Sequence, residues 1–175
     1  MAEREKTMAL VLGVGNILMG DEGVGVRAVE LFRKTYSLPE DCACIDGGTA
    51  GVSLLDYMKE FAHVVIIDAI SSGGPPAAIR RFKGDEIDCA PPSRTTAHQI
   101  GVKELIVLAR FEGASPDVRL IGVVPGRIGP GLRLSAPVEG ALPEVARMIA
   151  RELSALGFNV RKKEDARDGD NEKHA

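Results

Sequence analysis

The side chains with the clearest potential for chemistry in this 175-residue chain are Glu22, Asp68 and His98. Glu22 follows one apolar run, Asp68 ends another, and His98 begins a segment whose apolar residues have helical spacing. Two carboxylates and one imidazole form a mixed oxygen and nitrogen ligand set that suits a borderline divalent metal ion. Three protein ligands also leave coordination positions open for water or for a group brought by a partner. The three residues therefore predict a metal site, provided that the fold brings them together.

Each of these residues also has a simpler explanation. Asp68 stands among aliphatic residues in VVIIDAI, where an unpaired carboxylate is costly, yet a carboxylate at a strand end also caps loops and helices. Asp21 is predicted to be a helix N-cap with Glu22 in the first turn, where the helix dipole favours anions. At a helix N-terminus His98 is expected to be the neutral imidazole that binds metals; the alternative is a capping or solvated side chain.

Several familiar sites are not supported by the sequence. Gly13 and Gly15 allow a sharp turn after the first strand, but the dinucleotide-binding pattern G-x-G-x-x-G requires glycine where the chain has Leu18. The nucleophile pattern G-x-S-x-G and the metalloprotease pattern H-E-x-x-H are both missing. Cys42 and Cys44 share one face of a predicted strand. They are interpreted as small buried hydrophobic residues, with a C-x-C metal clip as the alternative.

Apolar periodicity predicts strands that alternate with helices. The strands are predicted at Met8–Val14, Ala43–Ile45, Val64–Ile70, Ile79–Phe82 and Leu120–Val124. The helices are predicted at Glu22–Tyr36, at Val52–Phe61, from about Thr96 to Ala109, and at Pro143–Leu156. Ile79–Phe82 is predicted to be an edge strand because two adjacent arginines disrupt a fully buried face. This order predicts a single α/β domain, with a mostly parallel twisted sheet of about five strands and helices on both faces. In such sheets, sites lie beyond the carboxyl ends of the strands.

The composition narrows the function classes. The chain is 45% hydrophobic but only 4% aromatic, which predicts an aliphatic core, and its net charge of −3 gives no electrostatic case for nucleic-acid binding. No apolar run approaches the roughly 20 residues of a membrane span, and the charged N-terminus is unlike a signal peptide. We therefore expect a cytoplasmic protein, and the lack of an obvious unpaired apolar stripe predicts a monomer. Its domain is predicted at residues 7–160, between a flexible tail at residues 1–6 and a disordered tail at residues 161–175.

Four segments, taken together and in this order, resemble the hydrogenase maturation protease family. They are Gly13-Val14-Gly15-Asn16 with Asp21-Glu22-Gly23-Val24-Gly25, Asp46-Gly47-Gly48-Thr49, Ile67-Asp68-Ala69, and His98-Gln99. The similarity extends from about residue 8 to about residue 157, which is nearly the whole domain. Members of this family are endopeptidases that trim the C-terminus of the large subunit of nickel–iron hydrogenases.

The resemblance implies that Glu22, Asp68 and His98 bind a metal ion. Many family members have Asp-Asp where this chain has Asp21-Glu22, so the second acid keeps its carboxylate but gains reach. Asp46 matches an acid that is functionally important in the family, and it is a further candidate catalytic residue. The family is classed with the aspartic-type endopeptidases, although its chemistry is not that of a paired-aspartate protease.

The resemblance also implies a partner and a mechanism. The precursor of the large subunit already carries nickel, the three ligands recognise that nickel, and cleavage follows a His or Arg near the precursor's C-terminus. Zinc or cadmium is expected to occupy the site in vitro. Two alternatives remain at this point: a nickel-sensing scaffold or carrier without proteolysis, and a peptidyl-tRNA-hydrolase-like enzyme, since G-V-G-N after a strand is also typical of that family.

Overall fold

The structure is a computed structural model that describes residues 8–93 and 101–163. Its strands are β1 (Ala9–Val14), β2 (Tyr36–Ser37), β3 (Cys42–Gly48), β4 (His63–Ala69), β5 (Ile79–Lys83), β6 (Asp117–Val123) and β7 (Arg161–Lys162). Its helices are α1 (Val24–Thr35), α2 (Leu55–Glu60), α3 (Val102–Phe111) and α4 (Ala136–Ala155). Short 3-10 turns at Asp21–Gly23 and Gly51–Leu54 lead into α1 and α2.

Five strands form the main sheet in the order β3-β1-β4-β6-β5. The pairings among β3, β1, β4 and β6 are parallel, and β5 pairs antiparallel with β6 at the edge. The mostly parallel sheet and the edge position of the fifth strand are therefore both confirmed. β2 and β7 form a separate antiparallel pair.

Aliphatic side chains cover both faces of the sheet. One layer packs α1 and α4 against odd-numbered residues of β1 and β4, such as Val11 and Val65. The other packs α2 and α3 against even-numbered residues, such as Leu12 and Ile66. This alternation follows from the two-residue period of a strand. It also assigns a sheet face to each polar residue at the strand ends.

Two predicted helix starts are wrong. α4 begins at Ala136, seven residues before the predicted start at Pro143, which lies inside the helix. The buried side chain of Val138 continues the stripe that includes Val145, and this burial offsets the one backbone hydrogen bond that an interior proline removes. α3 begins at Val102 after an extended Gly101, whereas the helix was predicted to open near Thr96.

The C-terminal part of the domain extends past the boundary predicted at residue 160. Arg161 and Lys162 pair with Ser37 and Tyr36, and the Lys163 amide donates a hydrogen bond of 2.9 Å to the Thr35 carbonyl. The predicted tail at residues 1–6, and the tail from residue 164 onward, lie outside the described residues and stay predictions. None of the helices in the described part of the chain has the length and hydropathy of a membrane-spanning helix.

Candidate functional site

Glu22 and Asp68 meet at the carboxyl edge of the sheet, as predicted. Glu22 lies in the 3-10 turn between β1 and α1, and Asp68 is the last residue but one of β4, the strand next to β1. Both are buried, with exposed fractions of 1% for Glu22 and 0% for Asp68. Glu22 is close enough for its charge to act on the Asp68 carboxyl. Two acids that are distant in the sequence thus share one buried environment.

Two glycines explain how the turn reaches this position. Gly15 has a φ of 130°, and a Cβ there would overlap the backbone oxygen of Glu22. Gly25 lies in the first turn of α1, where a Cβ would overlap the backbone oxygens of Val14 and Ile67. Because neither residue has a side chain, the turn packs directly onto the ends of β1 and β4. The close approach is what places Glu22 beside Asp68.

The Asp68 carboxyl is incompletely satisfied. Its Oδ1 accepts a hydrogen bond of 2.8 Å from the Ala69 amide, but its Oδ2 is buried without a hydrogen-bond partner among the described residues. Burial raises the pKa of Asp68 to about 7, with a further increase from the charge of Glu22. The Ser93 hydroxyl and the Ala69 amide act in the opposite direction but do not reverse the shift. Buried carboxyl oxygens usually have a partner, so this one is suited to bind a cation.

Asp21 has a different role from the predicted N-cap. The 3-10 turn has no side-chain cap, and Gly20 occupies the N-cap position. The Asp21 carboxylate, which is 0% exposed, instead accepts four hydrogen bonds from the loop between β6 and α4. Burial alone would raise the pKa of Asp21, but the donors on Ser135, Arg127 and Gly126 outweigh it and lower the pKa. Both oxygens are therefore already occupied, which leaves Glu22 as the acid of this pair that can serve the site.

Asp46 is not brought together with Glu22 and Asp68. Its register partner is Gly13 on β1, so it lies on the face of the sheet that α1 covers, whereas Asp68 lies on the opposite face. Asp46 is exposed, and its Oδ1 accepts a hydrogen bond of 2.9 Å from the Gly48 amide. This contact stabilises the turn after β3. A catalytic role for Asp46 stays a prediction.

His98 lies outside the described residues, but the chain next to it does not. Gly101 and Val102, at the start of α3, line a cleft of about 20 Å³ together with Asp68 and Val14. The described chain thus resumes at Gly101, three positions after His98, in the wall of the cleft that contains Asp68. Among the described residues alone, no group of three His, Cys, Asp or Glu side chains could hold a metal ion.

Cys42 and Cys44 pack as hydrophobic residues, as predicted, but they are less buried than expected. Both are half-buried on β3 and pack against the layer formed by α1 and α4. Burial raises the pKa of the Cys42 thiol to about 12 and that of the Cys44 thiol to about 11. The raised pKa values keep both thiols protonated at neutral pH in the metal-free protein, as expected of side chains that pack as hydrophobic residues.

Comparisons with known proteins bear on the family of the chain. A family model described as "HycI: Hydrogenase maturation protease" matches residues 26–152. The chain is 38% identical over 154 residues to "Hydrogenase expression/formation protein HupD" of Rhizobium leguminosarum bv. viciae, covering 86% of this chain and 76% of that protein. It is 35% identical over 153 residues to "Hydrogenase 2 maturation protease" of Escherichia coli (strain K12), covering 86% of this chain and 93% of that protein.

Solved structures show the same relationship. The "hydrogenase maturating endopeptidase HybD from E. coli" superposes with a TM-score of 0.83 at 34% identity, covering 90% of this chain and 99% of that one. A [NiFe] hydrogenase maturation protease HycI from Thermococcus kodakarensis KOD1 has a TM-score of 0.68 at 22% identity, covering 85% of this chain and 93% of that one, which shows the fold alone. These matches argue against the alternative of a peptidyl-tRNA-hydrolase-like enzyme. The chain belongs to the hydrogenase maturation protease family and is a hydrolase, an endopeptidase that acts in hydrogenase maturation.

Proposed function

We propose that this endopeptidase removes the C-terminal extension from the nickel-loaded precursor of a [NiFe] hydrogenase large subunit. In this proposal Glu22, Asp68 and His98 bind the nickel that the precursor carries. The nickel is then part of the substrate. By binding it, the protease selects precursor whose active site already holds the metal. The names of the relatives support a substrate in hydrogenase maturation.

The observation that carries the proposal is the buried Oδ2 of Asp68. It has no hydrogen-bond partner among the described residues, and it lies beside a second buried acid, Glu22. In the absence of a cation this arrangement costs free energy, because two like charges are held close together away from water. A divalent ion would satisfy the orphaned oxygen and neutralise both charges. Carboxylate and imidazole ligands fit nickel, and also zinc or cadmium in vitro.

Binding the substrate through its metal gives the protease a fixed point on the precursor. The Glu22 and Asp68 carboxylates sit on the ends of a rigid sheet and a packed helix, so they would hold the scissile segment in one register. The acids then work through the metal and do not form the catalytic pair of an aspartic protease. Three protein ligands leave room for the ligands that the precursor itself supplies.

Mass spectrometry of the precursor tests this function directly. The protein is incubated with nickel-loaded and nickel-free precursor, and we expect a shorter large subunit only from the loaded form. His98→Ala should abolish this shortening, whereas His63→Ala, which changes a partly exposed ring paired with Asp117, should leave it unchanged. Equal cleavage of both precursors would contradict nickel recognition. Stable capture of the loaded precursor without any change in its mass would favour the non-proteolytic carrier.

A further inference from the structure

The two adjacent acids after β1 point to different partners. Glu22 acts on Asp68, as described above. Asp21 faces the loop of residues 125–135, where its Oδ2 accepts hydrogen bonds from the Gly126 amide at 2.8 Å, the Arg127 amide at 2.7 Å and the Ser135 hydroxyl at 2.7 Å. Its Oδ1 accepts a fourth, of 2.6 Å, from the Ser135 amide. A single buried carboxylate therefore ties both ends of this loop to the turn that carries Glu22.

Backbone hydrogen bonds join the same two segments. The Gly20 amide donates to the Gly131 carbonyl at 2.8 Å, and the Gly131 amide donates to the Leu18 carbonyl at 2.9 Å. The Asp21 amide donates to the Arg127 carbonyl at 3.0 Å. The turn and the loop consequently form one hydrogen-bonded unit, and Asp21 supplies both backbone and side-chain contacts to it.

The opposite side of the turn has no room for movement towards the sheet. A Cβ at Gly15 would overlap the backbone oxygen of Glu22, and a Cβ at Gly25 would overlap the backbone oxygens of Val14 and Ile67 at the ends of β1 and β4. Glu22 is thus held between the end of β1 on one side and the loop fastened by Asp21 on the other. If the loop contacts were lost, we expect the turn to relax away from the sheet, and so away from Asp68, because the sheet side is closely packed.

We propose that Asp21 is a positioning residue: by fastening the 125–135 loop to the turn, it fixes the Glu22 carboxylate beside Asp68. This inference rests on the proposed function, because it concerns the geometry of the nickel-binding acids. The two adjacent acids then have different roles: Glu22 binds the metal ion, and Asp21 aligns the Glu22 carboxylate. Outer contacts that orient a metal ligand typically change metal affinity or activity by about 10-fold to 100-fold when they are removed.

Asp21→Asn is the direct test, and Glu152→Gln is its matched control. The amide nitrogen of the substituted side chain would face at least one backbone or hydroxyl donor, so at least one of the four hydrogen bonds is lost. Glu152 is likewise a buried carboxylate, 4% exposed, with contacts of 2.8 Å to Arg81 and 2.7 Å to Arg119. It lies on α4 near the amino end of β6, whereas the site lies at the carboxyl ends of the strands.

Two readouts separate positioning from a purely structural role. For Asp21→Asn we expect the affinity for Ni²⁺ alone, measured by calorimetric titration, to fall by about 10-fold. We also expect KM for the nickel-loaded precursor to rise by a similar factor. A purely structural defect would reduce the folded fraction and hence the apparent kcat, but it would leave KM unchanged. Glu152→Gln should show this second pattern, with wild-type Ni²⁺ affinity and KM.

Ser135→Ala keeps the test decisive if Asp21→Asn fails to fold. It removes one hydroxyl donor and leaves the Ser135 amide in place, so a smaller loss of Ni²⁺ affinity, about two-fold to three-fold, is expected. Wild-type Ni²⁺ affinity and KM in the folded Asp21→Asn protein, or in Ser135→Ala if only that variant folds, would overturn the positioning role. Failure of the wild-type protein to bind Ni²⁺ or to distinguish the two precursors would instead overturn the proposed function.

Discussion

Asp68 shows how a binding residue can lower the stability of the protein that carries it. In the metal-free protein, its pKa is raised from 3.8 to about 7 by burial and by Glu22. The carboxyl therefore favours folding below about pH 4, where it is protonated in both states, and this contribution is lost as the pH rises through about 7. The full effect corresponds to at most about 4 kcal/mol. The cost at neutral pH is what a bound cation would remove.

Asp68→Asn should consequently stabilise the metal-free protein at about pH 8. We expect a gain of about 2 kcal/mol, since the amide removes the buried charge but packs less well, and no gain at about pH 4. Urea denaturation of both proteins at the two pH values measures this. Asp46→Asn is the control: this acid is exposed, and an asparagine at the same place can still accept the hydrogen bond from Gly48. Equal stability of wild type and Asp68→Asn at the higher pH would contradict the assignment of a buried carboxyl whose Oδ2 lacks a hydrogen-bond partner among the described residues.

The role of a single residue could be predicted from the sequence only where its structural surroundings could be predicted as well. Asp68 stood out because a carboxylate in an apolar strand needs a partner, and Glu22 stood out because it follows such a strand. The separate role of Asp21 could not be predicted, since its donors lie 105 to 114 positions later in a loop without regular structure. The orientation of Asp46 depended on the sheet register, which sequence periodicity alone does not fix.

At the scale of elements, the packing of α1 on β1 and β4 determines where Glu22 lies. Gly25 permits this contact, because any side chain there would overlap the Val14 and Ile67 backbone oxygens. Gly25→Ala should cost at least about 3 kcal/mol of unfolding free energy, since backbone atoms cannot move aside as a flexible side chain can. Gly140→Ala on α4 is the matched helical control: a Cβ there meets no atom within 4 Å. It should add about 0.5 to 1 kcal/mol.

Chemical denaturation of the two glycine variants distinguishes packing from helix propensity. A stabilised Gly25→Ala protein would show that α1 does not press on the sheet as described. If both variants were destabilised to the same extent, the close approach at residue 25 would likewise not be the cause.

The core of each element was easier to predict than its ends. β1, β4 and the part of β6 from Leu120 onward are apolar almost throughout because helices cover both of their faces, and this made them recognisable. The start of α3 was missed because Thr96 and Gln99 have the spacing of a capping box, which predicted an earlier boundary. The start of α4 was missed because a proline such as Pro143 is common in the first turn of a helix. In α4 the decisive contact is the burial of Val138, a tertiary interaction that does not follow from local preference.

At the scale of the whole molecule, the parallel sheet collects residues that are distant in the chain. The carboxyl ends of β1 and β4 lie side by side, and the loop after β6 closes over the turn that follows β1. The fold class and this edge were predictable from the alternation of strands and helices. The proposed specificity for a nickel-loaded precursor depends on residues from several elements that meet at this edge of the sheet, and not on any single element.

Anomalous diffraction from a crystal grown with Ni²⁺ tests most directly whether Glu22, Asp68 and His98 form one metal site at this edge. We predict one strong anomalous peak about 2 Å from the Asp68 Oδ2, from a Glu22 carboxylate oxygen and from a ring nitrogen of His98. An anomalous peak at another position, with no metal ion at the Asp68 Oδ2, would contradict this three-ligand site. The absence of any peak at saturating Ni²⁺ would also contradict it.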